Sequence, residues 1–201
     1  FILIGINLKV YDAIFISEFF ELFKTPWEFF RPSQIYDVII TDQTDIDRFE
    51  ARLIIIIPQS NGSIFENSHS KIQKLILALY GEDTFPIYGG IKNIIDGLSL
   101  ITVEKTGECI GSCCFKGNKT LLRLGYNFFE ETRYLLSNGQ PPDYACFPTL
   151  DIHITNLRRW ILEAGLHLVE IPPIAKGSNF FVCLTHDVDF AGIRNYKLDH
   201  T

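Results

Sequence analysis

Near one end of the chain, Leu184-Thr185-His186-Asp187-Val188-Asp189-Phe190 follows the apolar run Phe180-Phe181-Val182-Cys183. An extended segment places side chains two apart on one face, so Asp187 and Asp189 would emerge together where a strand surfaces. Two close carboxylates repel unless a cation or a shared proton intervenes. One can then hold a divalent metal while the other takes a proton from a bound water. The simpler alternative is a pair of strand-end acids facing solvent.

Other residues invite chemistry and have plain alternatives. Gly107-Glu108-Cys109-Ile110-Gly111 sets a thiol between glycines, as a strained nucleophile turn would. No helix-forming sequence follows, no His-x-Glu partner follows, and a thiol without a base is a poor nucleophile, so a turn or strand cysteine is expected at Cys109. Gly117-Asn118-Lys119-Thr120 lacks the upstream glycine of a phosphate loop and reads as a β-turn. The sequons at Asn61 and Asn118 read as loops. Trp27, amid aromatics between two prolines, is expected in the core or an interface rather than as a sugar platform. His153, flanked by isoleucines, is expected as a hydrogen-bonded helix residue rather than a ligand.

The elements that must carry these residues follow from periodicity. Unbroken apolar runs at Ile2–Leu8, Val38–Thr41 and Leu53–Ile57 read as strands, the last ended by Pro58 and covered on both faces. Helical spacing predicts helices over Ser17–Lys24 and over Ser68–Leu79, where Ile72, Leu75, Ile76 and Leu79 share a face. Leu98 to Tyr126 reads as short antiparallel strands joined at Gly107 and at Gly117-Asn118. A short helix closed by Gly139 follows, then a helix from Thr149, as cap, to Gly165. Pro172-Pro173 marks a linker, and Phe180–Leu184 a further strand. The expected organisation is an α/β domain over 1–148, a connecting helix and linker over 149–178, and the start of another domain over 179–201. Both ends read as cut.

Composition narrows the function. The chain has 18 Lys and Arg against 24 Asp and Glu, a net charge of −6, and no basic cluster, which argues against a nucleic-acid partner. No apolar run is long enough to span a bilayer, and residues 1–8 do not form a signal peptide. Five cysteines without metal-type or disulfide-type spacing suit a reducing, cytoplasmic compartment.

The stretch from Phe181 to Arg194 resembles the first motif of the polysaccharide deacetylases, metal-dependent esterases that remove acetyl groups from glycans. The similarity spans about the last 25 residues. It implies that Asp187 is the catalytic base and Asp189 a metal ligand, with His186 given no role. It further implies a (β/α) barrel, of which only the first strand is present, and a Zn²⁺ or similar ion held also by two His. Those normally form His-x-x-x-His, a pattern not found here, so the chain alone is expected to be inactive. Leu122–Pro142, Pro148–Gly165 and Leu168–Pro173 are similar to the region preceding that barrel in large bacterial proteins of this type. The upstream α/β pattern weakly resembles the class I glutamine amidotransferases, implying a mostly parallel, amidotransferase- or flavodoxin-like sheet with an antiparallel addition. The leading expectation is a fragment of a deacetylase-like hydrolase acting on an acetylated polysaccharide or oligosaccharide. The alternative is a non-catalytic, amidotransferase-like binding or scaffolding module.

Overall fold

A computed structural model describes residues 2–9, 12–59 and 75–169, together with 177, 178, 180 and 182–184. The chain divides into two units, Phe1–Val169 and Glu170–Thr201. Within the first, the described residues form an α/β arrangement: one mixed sheet of nine strands, three α-helices and a single 3₁₀ turn at Pro142–Tyr144.

The first half is parallel. Strand β1 (Ile4–Asn7) lies between β2 (Trp27–Phe29) and β3 (Val38–Thr41), and β4 (Leu53–Ile56) pairs with β3. Val38, Ile39, Ile40, Leu53, Ile54 and Ile55 are all buried, which is why these runs show no polar alternation. Helix α1 (Ala13–Phe23) joins β1 to β2. Asp12 caps it by accepting from the Ile14 N–H at 3.1 Å, and Lys24, at φ 60°, ends it. Its Ile16, Phe19, Phe20 and Phe23 are spaced to form one buried face. Trp27 stacks on Phe20 with ring centroids 5.0 Å apart, so this indole belongs to the core.

The second half is antiparallel. β5 (Ile76–Tyr80), β6 (Asp83–Ile87), β7 (Leu98–Val103) and β8 (Cys109–Lys116) intervene before β9 (Lys119–Leu124) returns parallel to β4. The sheet order is β2-β1-β3-β4-β9-β8-β7-β5-β6. Gly107 and Gly117 occupy the expected turns, both at positive φ.

Helices α2 (Phe128–Asn138) and α3 (Thr149–Glu163) pack with α1. They cover one face of the sheet, in a core that includes Ile4, Ile6, Val38, Ile40, Leu53 and Ile55. The opposite face carries a smaller cluster, Ile39, Ile54 and Leu121 with Tyr36, Phe49 and Ala51 from the connections around β3 and β4. Gly139 and Gly165 follow α2 and α3 at φ 75° and 73°.

Several expectations are corrected. The run 75–79 belongs to β5 rather than a helix; residues 68–74 lie outside the described residues. Ala78 and Tyr80 are buried while Leu79 is partly exposed, and Gly81 turns the chain into β6. In so short an apolar run helical spacing and strand alternation overlap, and pairing decides between them. Pro148, not Thr149, holds the cap position of α3, and Thr149 makes no capping bond. Helix α3 also packs inside the first unit rather than bridging away from it: Leu157, Trp160 and Ile161 are buried in the main core. Finally, Phe180 and residues 182–184 form no strand, and Phe180, Val182 and Leu184 are exposed. A strand exists only by pairing, and no described residue pairs with this run.

Candidate functional site

In a parallel sheet a crevice opens at the carboxyl ends of the strands, where successive connections leave in opposite directions. Here that point lies between β1 and β3, and the protein's own polar groups close it. The Asn7 amide donates to Thr41 Oγ1 at 3.2 Å, and the Thr41 hydroxyl donates back to Asn7 O at 3.0 Å. Asp42 Oδ2 accepts from the Lys9 N–H at 2.9 Å and Oδ1 from the Gln43 amide at 2.9 Å.

The opening falls further along the same edge. Past the ends of β3, β4 and β9 lies an open cleft of about 580 Å³, lined by Asp42 and Thr44, by Ile56 to Gln59, by Arg123 to Gly125, and by the loop Lys92–Asp96. Backbone hydrogen bonds fix that loop: Lys92 N–H donates to Gly125 O at 2.8 Å and Ile94 N–H to Cys109 O at 2.8 Å. The Ser112 hydroxyl donates to Asp96 O at 2.6 Å. A Cβ at Gly125 would stand 1.9 Å from Lys92 O, so the wall can approach β9 only because residue 125 has no side chain. Arg123, half-buried on β9, places Nη1 3.4 Å from Cys114 Sγ.

Behind the loop, Glu131 ties it to α2. Its two oxygens accept from the N–H groups of Tyr88, at 2.8 Å, and Gly89, at 2.7 Å. Burial pushes this carboxyl up to about 7, against the lowering effect of those two donors. Burial likewise pushes the Tyr88 hydroxyl up to about 12. His153 sits between Phe85 and Tyr126, with ring centroids 5.6 and 5.7 Å away, and burial drives its pKa down to about 3. Neither ring nitrogen has a hydrogen-bond partner among the described residues, so His153 is a neutral core residue but not the hydrogen-bonded one expected.

Asp187 and Asp189 lie outside the described residues, as do His186 and Asn61. Cys109 is the first residue of β8, and its thiol donates to Gly111 O at 3.3 Å. A strand and not a helix follows it, so the geometry of a nucleophile turn is not formed, in keeping with the strand alternative. Asn118 lies in the β8–β9 turn. All five cysteines are free. Among the described residues, no three His, Cys, Asp or Glu side chains gather as a cation site, and no helix is long and apolar enough to cross a membrane. Sequence reasoning missed Arg123, Lys92 and Glu131. The one available signal was Gly125 directly after a strand; Glu131 reads as an ordinary glutamate in the first turns of a helix.

Comparison with family models, with curated proteins and with solved structures gave no match.

Proposed function

We propose that this chain is the accessory α/β region and the start of the catalytic domain of a polysaccharide deacetylase-like hydrolase. The observation that carries the reading is the motif Thr185-His186-Asp187-Val188-Asp189, which follows the apolar run 180–184 and falls in the second unit, beyond Val169. In this reading residues 179–201 open a (β/α) barrel, Asp187 is the base and Asp189 binds a divalent ion such as Zn²⁺. The substrate is an acetylated glycan. Such an ion, when bound, polarises an acetyl carbonyl and acidifies water. The described residues supply no donor set for it, so the chain's own part is limited to the two carboxylates: one holds, the other accepts a proton. Full-length protein supplied with Zn²⁺ or Co²⁺ should release acetate from acetylated chito-oligosaccharides, and Asp189→Ala should abolish that release. Undiminished release by the variant, or none by the intact protein, would sink the reading.

A second reading concerns the first unit, as a non-catalytic, amidotransferase- or flavodoxin-like binding module. Two observations favour it. The parallel strands run in the order β2-β1-β3-β4-β9, with a cleft at their carboxyl edge. The one cysteine whose flanking glycines suggest a nucleophile is held on a strand.

A further inference from the structure

We infer that the cleft beyond β3, β4 and β9 binds a small molecule carrying an oxyanion, a phosphate or carboxylate group, with Arg123 and Lys92 as its partners. The inference deepens the reading of the first unit as a binding module and rests on it.

Size and place are the first argument. About 580 Å³ lies within the range of small-molecule sites, and the carboxyl edge of parallel strands is where such sites form, because strand ends and the loops beyond them converge there. The walls are pre-formed, since Gly125 and Cys109 hold the Lys92–Asp96 loop by its backbone.

Charge is the second. In a chain with more acids than bases, cations generally find partners: Arg31 pairs with Glu28, Lys116 with Asp47, Arg133 with Glu130 and Arg159 with Asp83. Arg123 does not. It is half-buried, its guanidinium meets a thiol, which is a weak acceptor, and no carboxylate pairs with it among the described residues. Lys92, on the facing loop, likewise has no carboxylate partner there. Of the two acids lining the cleft, Asp42 has both oxygens engaged by Lys9 and Gln43, which leaves Asp96 as the acid on its exposed rim. Arg123 is also fixed in register, opposite Ser112 on one side and Ile56 on the other. A guanidinium on a rigid strand presents a planar fork suited to an oxyanion. Asn93 and Gln59 add neutral donors along the walls.

Titration of the full 201-residue chain by calorimetry and amide NMR, at constant ionic strength, tests this with pyrophosphate and citrate as probes and N-acetylglucosamine as the neutral comparison. Both anions should bind saturably and shift the amides of Lys92 to Asp96 and Arg123 to Gly125. Arg123→Gln should weaken binding about tenfold or more, and Lys92→Gln by a smaller factor. Asp96→Asn should tighten it, and the distant Lys24→Gln should leave it unchanged. Should Arg123→Gln fail to fold, the exposed Lys92 and Asp96 variants still decide. Anion binding indifferent to Arg123, Lys92 and Asp96 overturns the assignment. Saturable N-acetylglucosamine binding at the same amides without anion binding overturns the anion chemistry but leaves a binding module. If no probe shifts these amides, both fall.

Discussion

Glu131 and His153 place two titratable groups with opposite demands in one buried region. Glu131 is raised from 4.5 to about 7, so between those values the folded state holds a proton that the unfolded chain releases, and stability falls as pH rises. His153 is lowered from 6.5 to about 3, so the unfolded chain takes up the extra proton, and stability falls as pH drops through that window. Each tenfold change in proton affinity between the folded and unfolded chain is worth about 1.4 kcal/mol, so Glu131 accounts for roughly 3 kcal/mol and His153 for roughly 4–5 kcal/mol. From pH 4.5 to 6.5 the two slopes cancel. Glu131→Gln should remove one of them, so its stability should climb over that interval while the wild type's contribution from this pair stays level. His153→Leu should do the reverse. Urea unfolding at about pH 4, 5, 6.5 and 8 checks this; variant curves parallel to wild type would refute it. Neither residue was recognisable in the sequence, because protonation of a buried group depends on what surrounds it, and burial of a glutamate on α2 depends on a loop some 40 residues earlier.

At the scale of elements, local rules held where one force dominated. Val38–Thr41 and Leu53–Ile57 read as strands because they are apolar on both faces, and α1 and α2 read as helices because their apolar faces and ends agree. The rules failed where tertiary pairing chose: β5 was hidden by helical spacing, and β2 and β6 are short edge strands, the latter containing Pro86, which only an edge tolerates. The cleft wall was invisible for the same reason, since it is defined by contact between the Lys92–Asp96 loop and Gly125. That contact can be broken selectively. Gly125→Ala drives a methyl into Lys92 O and should cost about 2–4 kcal/mol while speeding hydrogen exchange at the Lys92 and Ile94 amides. Gly117→Ala makes a suitable comparison: its backbone is at φ 63° but nothing lies within 4 Å, so it should cost only about 1 kcal/mol and leave those amides protected. Equal losses from the two substitutions would show that the close approach of loop and strand does not hold the wall.

At the scale of the whole molecule, the sequence placed a boundary at residue 148 because a loop with two prolines precedes a helix and a second proline pair follows it. Packing places the boundary later. Ile154, Leu157, Trp160 and Ile161 of α3 are buried in the same core as β1, β3, β4 and α1. Burying four such side chains contributes about 1.5–3 kcal/mol each, or roughly 6–12 kcal/mol together, which is comparable to the entire stability of an ordinary domain. A chain ending at Pro148 therefore should not fold: it should lack a cooperative unfolding transition and bind hydrophobic dyes. A chain ending at Val169 should unfold cooperatively with the midpoint of the full 201 residues, and it should keep the anion-binding cleft while lacking Asp187 and Asp189. Thermal and urea unfolding of the two truncations, beside pyrophosphate titration of the longer one, separates the contributions. Cooperative folding of residues 1–148 would show α3 to be a dispensable connector. Loss of pyrophosphate binding in a folded 1–169 chain would mean that the cleft depends on residues beyond the first unit.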